Sequence, residues 1–296
     1  MQTRIFHLQA LSALHVGTGQ GVGVVDLPIA RAKATNLPIV PGSAIKGVLR
    51  DEAAAQFNFN GEDASALVKT LFGPDSSDSH SDTHAGALAF GDANLLVLPI
   101  RSFAGTLAYA TCPFILNQYK RDTGIELKVP NFEGKAAVTG NSTLEIKGQV
   151  ALEDLDIGAE TSESIDNWAQ EIAENLYPKG SFQASDWQTI FTERFVILPD
   201  DVFSFLADTA TEVRTRIRID RDTRIVKEGA LWNEENLPAE SVLWGVLGVA
   251  ASRSQDRKTA EELAQYLPLD KEIKAQIGGK HTVGRGLCRM LLSAAK

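Results

Sequence analysis

A single carboxylate at the end of a run of alternating glycines is the arrangement in this chain best suited to chemistry on a phosphate. In Leu14-His-Val-Gly-Thr-Gly-Gln-Gly-Val-Gly-Val-Val-Asp-Leu-Pro28, glycines occupy positions 17, 19, 21 and 23, and Asp26 follows. Glycine has no side chain to hold a ligand away, so Gly17, Gly19, Gly21 and Gly23 suit a main-chain surface that phosphates approach, with one acid beyond it. A flexible turn is the competing reading of this segment. A second loop, Ile277-Gly-Gly-Lys-His-Thr-Val-Gly-Arg-Gly-Leu287, repeats the logic, interleaving Gly278, Gly279, Gly284 and Gly286 with Lys280, His281 and Arg285. Neither loop is a standard nucleotide fingerprint. The chain has no Gly-x-x-x-x-Gly-Lys-Ser/Thr motif, and Pro28 with an extended run follows the first loop where a Rossmann helix is required.

The cations are grouped. From Val213 to Asp220 the chain alternates strictly, which on a strand puts Val213, Thr215, Ile217 and Ile219 on one face and Arg214, Arg216, Arg218 and Asp220 on the other. With a turn at Asp222-Thr223 and a return strand from Ile225 to Trp232, the segment is expected to form a β-hairpin with an arginine-lined face. Arginine forks match phosphate oxygens, and a hairpin is thin enough to enter nucleic acid. An edge strand protected by charge is the alternative. Ser43 is expected to cap a helix whose Ile45, Val48, Leu49 and Ala53 form an apolar face. Lys46 in its first turn opposes the helix dipole unless an anion sits there, and Arg50 would extend that anionic track.

These groups need a scaffold, and the composition allows one. With 296 residues, 44% hydrophobic, the chain can bury a full core as one large domain or two modest ones. No uncharged run is long enough to cross a bilayer, and the N-terminus reads as an immediate strand, so the protein is expected in the cytoplasm with no membrane partner. Cys112 and Cys288 lie far apart among apolar neighbours and are read as core. A formal charge of −9 argues against indiscriminate nucleic-acid binding, but the charges are segregated. Residues 151–175 hold eight Asp or Glu and no Lys or Arg, read as an acidic insertion, mobile or folded as a solvated loop and helix, set against the arginine-rich hairpin.

Periodicity supplies the rest of the outline. Strands are expected at Arg4–Leu11, Leu95–Ile100, Val242–Val249 and Leu287–Leu292. Ser102 is expected to cap a helix running to Thr111, and Thr259-Ala-Glu-Glu262 is a capping box opening another. The pattern is α+β, a sheet packed with helices and interrupted by long insertions at about 57–90 and 117–195.

Six motifs in order carry a family resemblance: Leu14-His-Val-Gly-Thr-Gly19, Pro41-Gly-Ser-Ala-Ile-Lys-Gly-Val-Leu-Arg50, Ala85-Gly-Ala-Leu-Ala-Phe-Gly-Asp-Ala93, Ile219-Asp-Arg-Asp-Thr223, Gly229-Ala-Leu-Trp-Asn-Glu-Glu-Asn-Leu-Pro238 and the Gly278–Gly286 loop. Together they resemble the repeat-associated RAMP superfamily, and within it the repeated backbone subunit of type III-B (Cmr) CRISPR effectors. The resemblance implies a single domain over 1–296, with an RRM-like (ferredoxin-like) palm from about 1–56, 91–116 and 241–296 and a thumb hairpin at about 211–240. It implies copies polymerising along a guide RNA beside other effector subunits, and cleavage of a complementary single-stranded target RNA at regular intervals, with the thumb wedged between guide and target.

Its implied catalytic acid is Asp26. Attack by a ribose 2′-OH on the adjacent phosphorus needs an in-line angle and compensation of phosphorane charge. An aspartate is a weak base at neutral pH, so Asp26 is expected to ligate Mg²⁺ or Mn²⁺ rather than to take a proton. His15 is a candidate proton donor or acceptor, or a structural hydrogen-bonder. Glu234 matches a family position near the cut, and a tyrosine common two residues later is replaced by Asn236. The implied RNA contacts are Gly17, Gly19, Gly21, Ser43, Lys46, Arg50, Arg214, Arg216, Arg218, Trp232, Gly278, Gly279, Lys280, Gly284, Arg285 and Gly286. Two other functions remain open: a non-catalytic RNA-binding filament subunit, and a metal-independent nuclease that processes the guide. Asp78, His80, Asp82 and His84 alternate as a metal loop would, although their setting reads as a loop.

Overall fold

The computed structural model describes residues 1–21, 25–74, 84–130, 132–269 and 271–293, and Gly23, Asp78, His80 and Asp82 lie outside them. From the N-terminus come β1 (Gln2–Ala10), β2 (Ile39–Val40), α1 (Gly42–Gln56), α2 (Ala64–Phe72), β3 (Leu88–Phe90), β4 (Ala93–Arg101), β5 (Leu107–Thr111) and α3 (Pro113–Thr123). The middle of the chain adds β6 (Ala136–Val138), β7 (Glu145–Ile146), β8 (Gln149–Leu152), β9 (Leu155–Thr161), α4 (Glu163–Leu176), α5 (Ala184–Thr192), β10 (Phe195–Ile197) and α6 (Asp200–Thr209). It ends with β11 (Glu212–Ile219), β12 (Val226–Asn236), β13 (Val242–Val249), α7 (Ala260–Ala264), β14 (Ile273–Gln276) and β15 (Leu287–Leu292).

Thirteen strands of the described residues form one mixed sheet, in the order β14-β15-β1-β13-β4-β5-β10-β6-β9-β8-β7, with β2 beside β4 and β3 beside β13. Strand β1 is central to its first half, antiparallel to both β13 and β15, because its alternate residues are apolar and both faces are covered. Phe6 and Leu8 belong to the buried core, in which Ile45, Leu49 and Ala53 form the inner stripe of α1. His7 and Gln9 point the other way, to Tyr119 of α3 and to Tyr177, just past the end of α4. Burial pushes the pKa of His7 down to about 4, so the imidazole stays neutral against Tyr119. Both cysteines are buried, as expected.

The capping box at Thr259 and the strands β13 and β15 form where periodicity puts them. Three expectations need correction. No helix follows Ser102. Gly105 and Thr106 both adopt positive φ (68° and 72°), turning the chain back so that Leu107–Thr111 pairs with β4, and α3 begins only at Pro113. A segment of five residues buried almost throughout satisfies its backbone in a ladder between β4 and β10. Of the two readings of the acidic stretch, the mobile one fails and the helix forms, though packed on the core rather than merely solvated. The stretch forms β9 and α4, and the latter seats Ile165, Trp168, Ala169, Ile172, Ala173 and Leu176 in the core while its acids face outward. The long segment 117–195 thereby extends the sheet through β6–β9.

Helix α1 starts at Gly42, not after a Ser43 cap. The Gly42 N–H donates to Asp92 Oδ1 at 2.8 Å, Ser43 is exposed and makes no cap, and a Cβ at residue 42 would lie 2.2 Å from Phe90 O. The Asp92 carboxylate is thus the anion at this N-terminus. Removing it with Asp92→Ala should cost about 1 kcal/mol. Gly42→Ala, which forces backbone apart, should lower the melting temperature further. Thermal unfolding followed by circular dichroism checks the order of the two.

Candidate nucleic-acid interface

Strands β11 and β12 form a separate two-stranded hairpin, with Ile217 opposite Leu231, Arg216 opposite Trp232 and Arg214 opposite Glu234. Its turn is held by Asp220, whose Oδ1 accepts from Asp222 N, Thr223 N and Thr223 Oγ1. Those bonds hold the Asp220 carboxyl below the usual aspartate range. Alternation is obeyed, so the arginine face exists. It also carries acids: Arg214 pairs with Glu212 at 2.7 Å, and Arg216 Nε lies 3.8 Å from Glu234 Oε2. Arg218 is exposed and has no acid partner among the described residues.

The glycine loops meet at the root of this hairpin. Residues 14–21 and 25–30 lie against each other through Ala30 N to Val16 O and Gly21 N to Asp26 O, and run beside the end of β12 through the Leu14–Leu237 and Leu27–Glu234 bridges. That pairing brings Asp26 to the root of the hairpin. Its carboxylate is exposed, and Oδ2 accepts from Asn233 N at 2.7 Å. The second loop docks on the first, with Gly279 N donating to His15 O at 2.8 Å and Gly286 N to Ala13 O at 3.0 Å.

Most of these glycines make room for protein rather than for a ligand. A Cβ on Gly278 would lie 2.3 Å from His15 O, one on Gly286 2.0 Å from Ile277 O, and one on Gly17 2.7 Å from His15 Nε2. A Cβ on Gly21 would meet Pro28, and one on Gly279 would make ordinary contact with His15. Among the described glycines of the two loops, only Gly19 and Gly284 face open space.

His15 and Glu234, read from sequence as chemical groups, are anchors here. His15 is buried, and its Nδ1 lies 2.6 Å from Glu235 O; a carbonyl only accepts, so Nδ1 carries the proton. Glu234 is 1% exposed, and its Oε1 accepts from Trp232 Nε1 at 2.7 Å and from Lys280 Nζ at 2.9 Å. Lys280 Nζ also lies 5.9 Å from the Trp232 ring centroid. Burial opposes ionisation of Glu234, but the Trp232 and Lys280 hydrogen bonds with the charges of Lys280 and Arg216 prevail and hold its pKa below the ordinary 4.5. Arg285, read as an RNA contact, is buried with Nη1 4.0 Å from Glu212 Oε2. Arg50 of α1 donates to Pro74 O at 3.3 Å, and Lys46 is half-buried one turn before it.

Sequence reasoning missed Glu235 and Arg31. Glu235, also buried, accepts from Ile29 N at 3.1 Å, Thr211 Oγ1 at 3.0 Å and Arg31 Nη2 at 2.6 Å, while Arg31 reaches Asp208 at 3.0 Å. The signal was the Glu234-Glu235 pair: neighbours on a strand point to opposite faces, so two acids there need two sets of partners.

The sequence profile of the RAMP superfamily matches residues 7–289. The chain belongs to the RAMP superfamily. It is similar to the CRISPR system Cmr endoribonuclease Cmr4 of Pyrococcus furiosus, 31% identical over 99% of this chain and 96% of that protein. A CRISPR system Cms endoribonuclease, Csm3 of Mycobacterium tuberculosis, is 30% identical over 30% of this chain and 39% of its own. The fold matches the crystal structure of oligomeric Cmr4 from Pyrococcus furiosus with a TM-score of 0.73 at 24% identity, covering 100% of this chain and 99% of that one. It also matches a chain in the cryo-EM structure of type III-B Cmr-beta bound to cognate target RNA, with a TM-score of 0.72 at 20% identity, covering 99% and 97%.

Two observations bound what this RAMP chain can hold. Among the described residues no group of three or more His, Cys, Asp or Glu converges, so no all-protein metal cage is built, and no helix is long and apolar enough to cross a membrane. Asp26 Oδ1 has no hydrogen-bond partner among those residues. As a lone carboxylate oxygen it could supply one ligand, and no more, to a hydrated divalent cation.

The Glu234 contacts predict a pH dependence. A carboxylate whose pKa is depressed on folding adds stability above its unfolded pKa and loses it as pH falls through the folded one. Glu234→Gln should therefore lower the melting temperature at neutral pH. The expected cost is about 1.5–3 kcal/mol, the range for hydrogen bonds to a charge, since the half-buried Lys280 can rehydrate. The gap from the parent should close as pH falls below 4.5. Melting curves of both proteins across that range measure it.

Proposed function

We propose that this chain is the repeated RNA-binding subunit of a type III-B CRISPR effector, polymerising on guide RNA with other effector subunits and cutting complementary target RNA at Asp26. The observation that carries the reading is Asp26 itself. It is the exposed carboxylate at the root of an arginine-faced hairpin, fixed by Asn233 N, in a chain 31% identical along almost its whole length to a Cmr endoribonuclease. The strand order β15-β1-β13-β4, with α1 between β1 and β4 and α7 between β13 and β15, supports an RRM-like palm. Solved neighbours described as oligomeric and as bound to target RNA support RNA and further copies as partners.

In this mechanism the 2′-oxygen of one ribose forms a bond to the adjacent phosphorus while the bond to the 5′-oxygen of the next nucleotide breaks. Solvent water takes the 2′-OH proton and returns one to the departing oxygen. The hairpin would hold the strand bent so that these atoms align, and Asp26 would hold a divalent cation beside the scissile phosphate. A bound Mg²⁺ would supply compensation for the phosphorane charge. Burial of His15 and Glu234 removes them from contact with the strand, and they act by positioning the loops. That burial also favours a second reading, a filament subunit that binds RNA without cutting it.

Asp26→Asn separates the two. The expected result is unchanged assembly and target binding, with cleavage in the reconstituted complex reduced about 100-fold or more. Cleavage at the parental rate refutes the assignment of Asp26 as the catalytic acid. EDTA should arrest the parental complex, and added Mg²⁺ should restore it.

Reversing Arg214, Arg216 and Arg218 to Glu should weaken RNA binding, with Arg218 responsible for the largest share. The slope of log affinity against log salt should flatten by about 0.7 for each phosphate that is no longer neutralised. Filter binding at several ionic strengths measures both.

A further inference from the structure

A pocket of about 240 Å³ lies where the end of β1, the segment after β12, strand β15 and the connection from α4 to α5 meet, and Asp26 has no part in it. Its aromatic wall is Tyr177, Phe182 and Trp187. Tyr177 and Trp187 stack with 5.9 Å between centroids and 15° between planes. Trp187 is 37% exposed and Phe182 85%. Rings this open beside a cavity suit a flat ligand that stacks on them.

The polar wall is organised by Gln9. Its buried amide accepts from Arg289 Nε at 2.6 Å through Oε1 and donates to Glu240 Oε2 at 2.7 Å through Nε2. One amide thus holds a cation and a carboxylate side by side, and each has a position left over. Arg289 is 8% exposed, gives Nη1 to Glu272 at 3.3 Å and sets its guanidinium 4.6 Å from the Tyr177 ring centroid. Its buried Nη2 has no acceptor among the described residues. Glu240 Oε2 also takes Tyr109 OH at 3.3 Å, while Oε1 has no donor among those residues. Burial pushes the Glu240 carboxyl above the ordinary carboxylate range, which an added N–H donor would offset. A buried guanidinium N–H without a partner is costly, and an acceptor on a ligand removes that cost.

These groups match a planar ring whose edge sets one acceptor beside two donors. Guanine has that edge: O6 would take Arg289 Nη2, and the neighbouring N1–H and N2 amine would fill the open lone pairs of Glu240 Oε1. Adenine, cytosine and uracil carry a single donor group on the same edge. They leave short of donors a wall that holds two acids, Glu240 and Glu272, against one arginine. An adjoining cleft of about 680 Å³ shares Phe182, Glu272 and Arg289 and has room for a ribose. Glu174 lines it together with Lys179, so a phosphate gains little there.

We propose that this pocket binds one guanine base, stacked on its aromatic wall and read by Arg289 and Glu240. That chemistry is shared by a guanosine in an RNA strand and a free guanine nucleotide.

Equilibrium dialysis of the full chain against guanosine, inosine and adenosine tests it. Guanosine should bind about tenfold or more tighter than adenosine, and inosine, which keeps O6 and N1–H but lacks the N2 amine, should fall between them. Glu240→Gln should abolish the preference. Trp187→Ala, at a partly exposed position, should weaken guanosine about tenfold in a chain that still melts cooperatively, and it decides the matter should Glu240→Gln fail to fold. Two oligouridines of equal length, one with a single central guanosine, identify the source. A preference for the guanosine strand that Glu240→Gln removes assigns the pocket to RNA, whereas equal binding of the strands beside tight binding of GMP assigns it to the free nucleotide. Equal retention of guanosine and adenosine overturns the proposal. So does guanosine binding untouched by both variants, and so does failure of all three nucleosides to bind. Cleavage at Asp26 stands or falls separately.

Discussion

Two buried carboxylates on consecutive residues of β12 determine the geometry around them. An ionised acid removed from water is tolerated only when charges and donors surround it, and Glu234 and Glu235 recruit theirs from opposite sides of the strand. Glu234 draws in Lys280 and Trp232, which ties the C-terminal glycine loop to the hairpin. Glu235 draws in Ile29 N, Arg31 and Thr211, which ties the first glycine loop and the end of α6 to the same place. Losing either acid would leave a cation or a main-chain donor unanswered at the root of the hairpin.

Asp26 inherits its position from that clamp. The loop before it closes through Gly21 N to Asp26 O, the residue after it pairs with β12, and its own carboxylate takes Asn233 N from the strand that carries the two acids. An exposed side chain is thereby fixed without being buried, which is the requirement for a group that must meet a ligand and still hold an angle. His15 contributes from beneath, with Nδ1 on Glu235 O and its carbonyl accepting from Gly279 N.

Much of this was legible because it is local. The alternation in 213–219, the helical stripe of α1 and the Thr259 box each occupy a few consecutive residues, and each formed. What failed was decided at a distance. Residues 107–111 became a strand because β4 and β10 flank them, and the Asp92 cap of α1 stands 50 residues from the helix it caps. The Glu235–Arg31 pair is separated by 204 residues. Glycine spacing announced close approach correctly but could not say to what: at Gly278 and Gly286 the near neighbour is this chain's own carbonyl.

Both faces of the sheet's first half are spent on packing, one against α1 and the other, carrying His7, Gln9 and Trp244, against α3 and the end of α4. A sheet that reads RNA by stacking needs an open face with aromatics on it, so a polyanion is left with the strand-end loops and the hairpin. Several cations there already answer acids: Lys280 answers Glu234, Arg214 and Arg285 answer Glu212, and Arg31 answers Glu235. Drawing Lys280 onto a phosphate would strip a carboxylate that is 1% exposed, so the root resists the exchange. Arg218, farther out and without such an obligation, can take a phosphate at no cost to the fold. Free and committed cations are thereby separated along one hairpin, Arg218 exposed on its outer part and the root held by its own ion pairs.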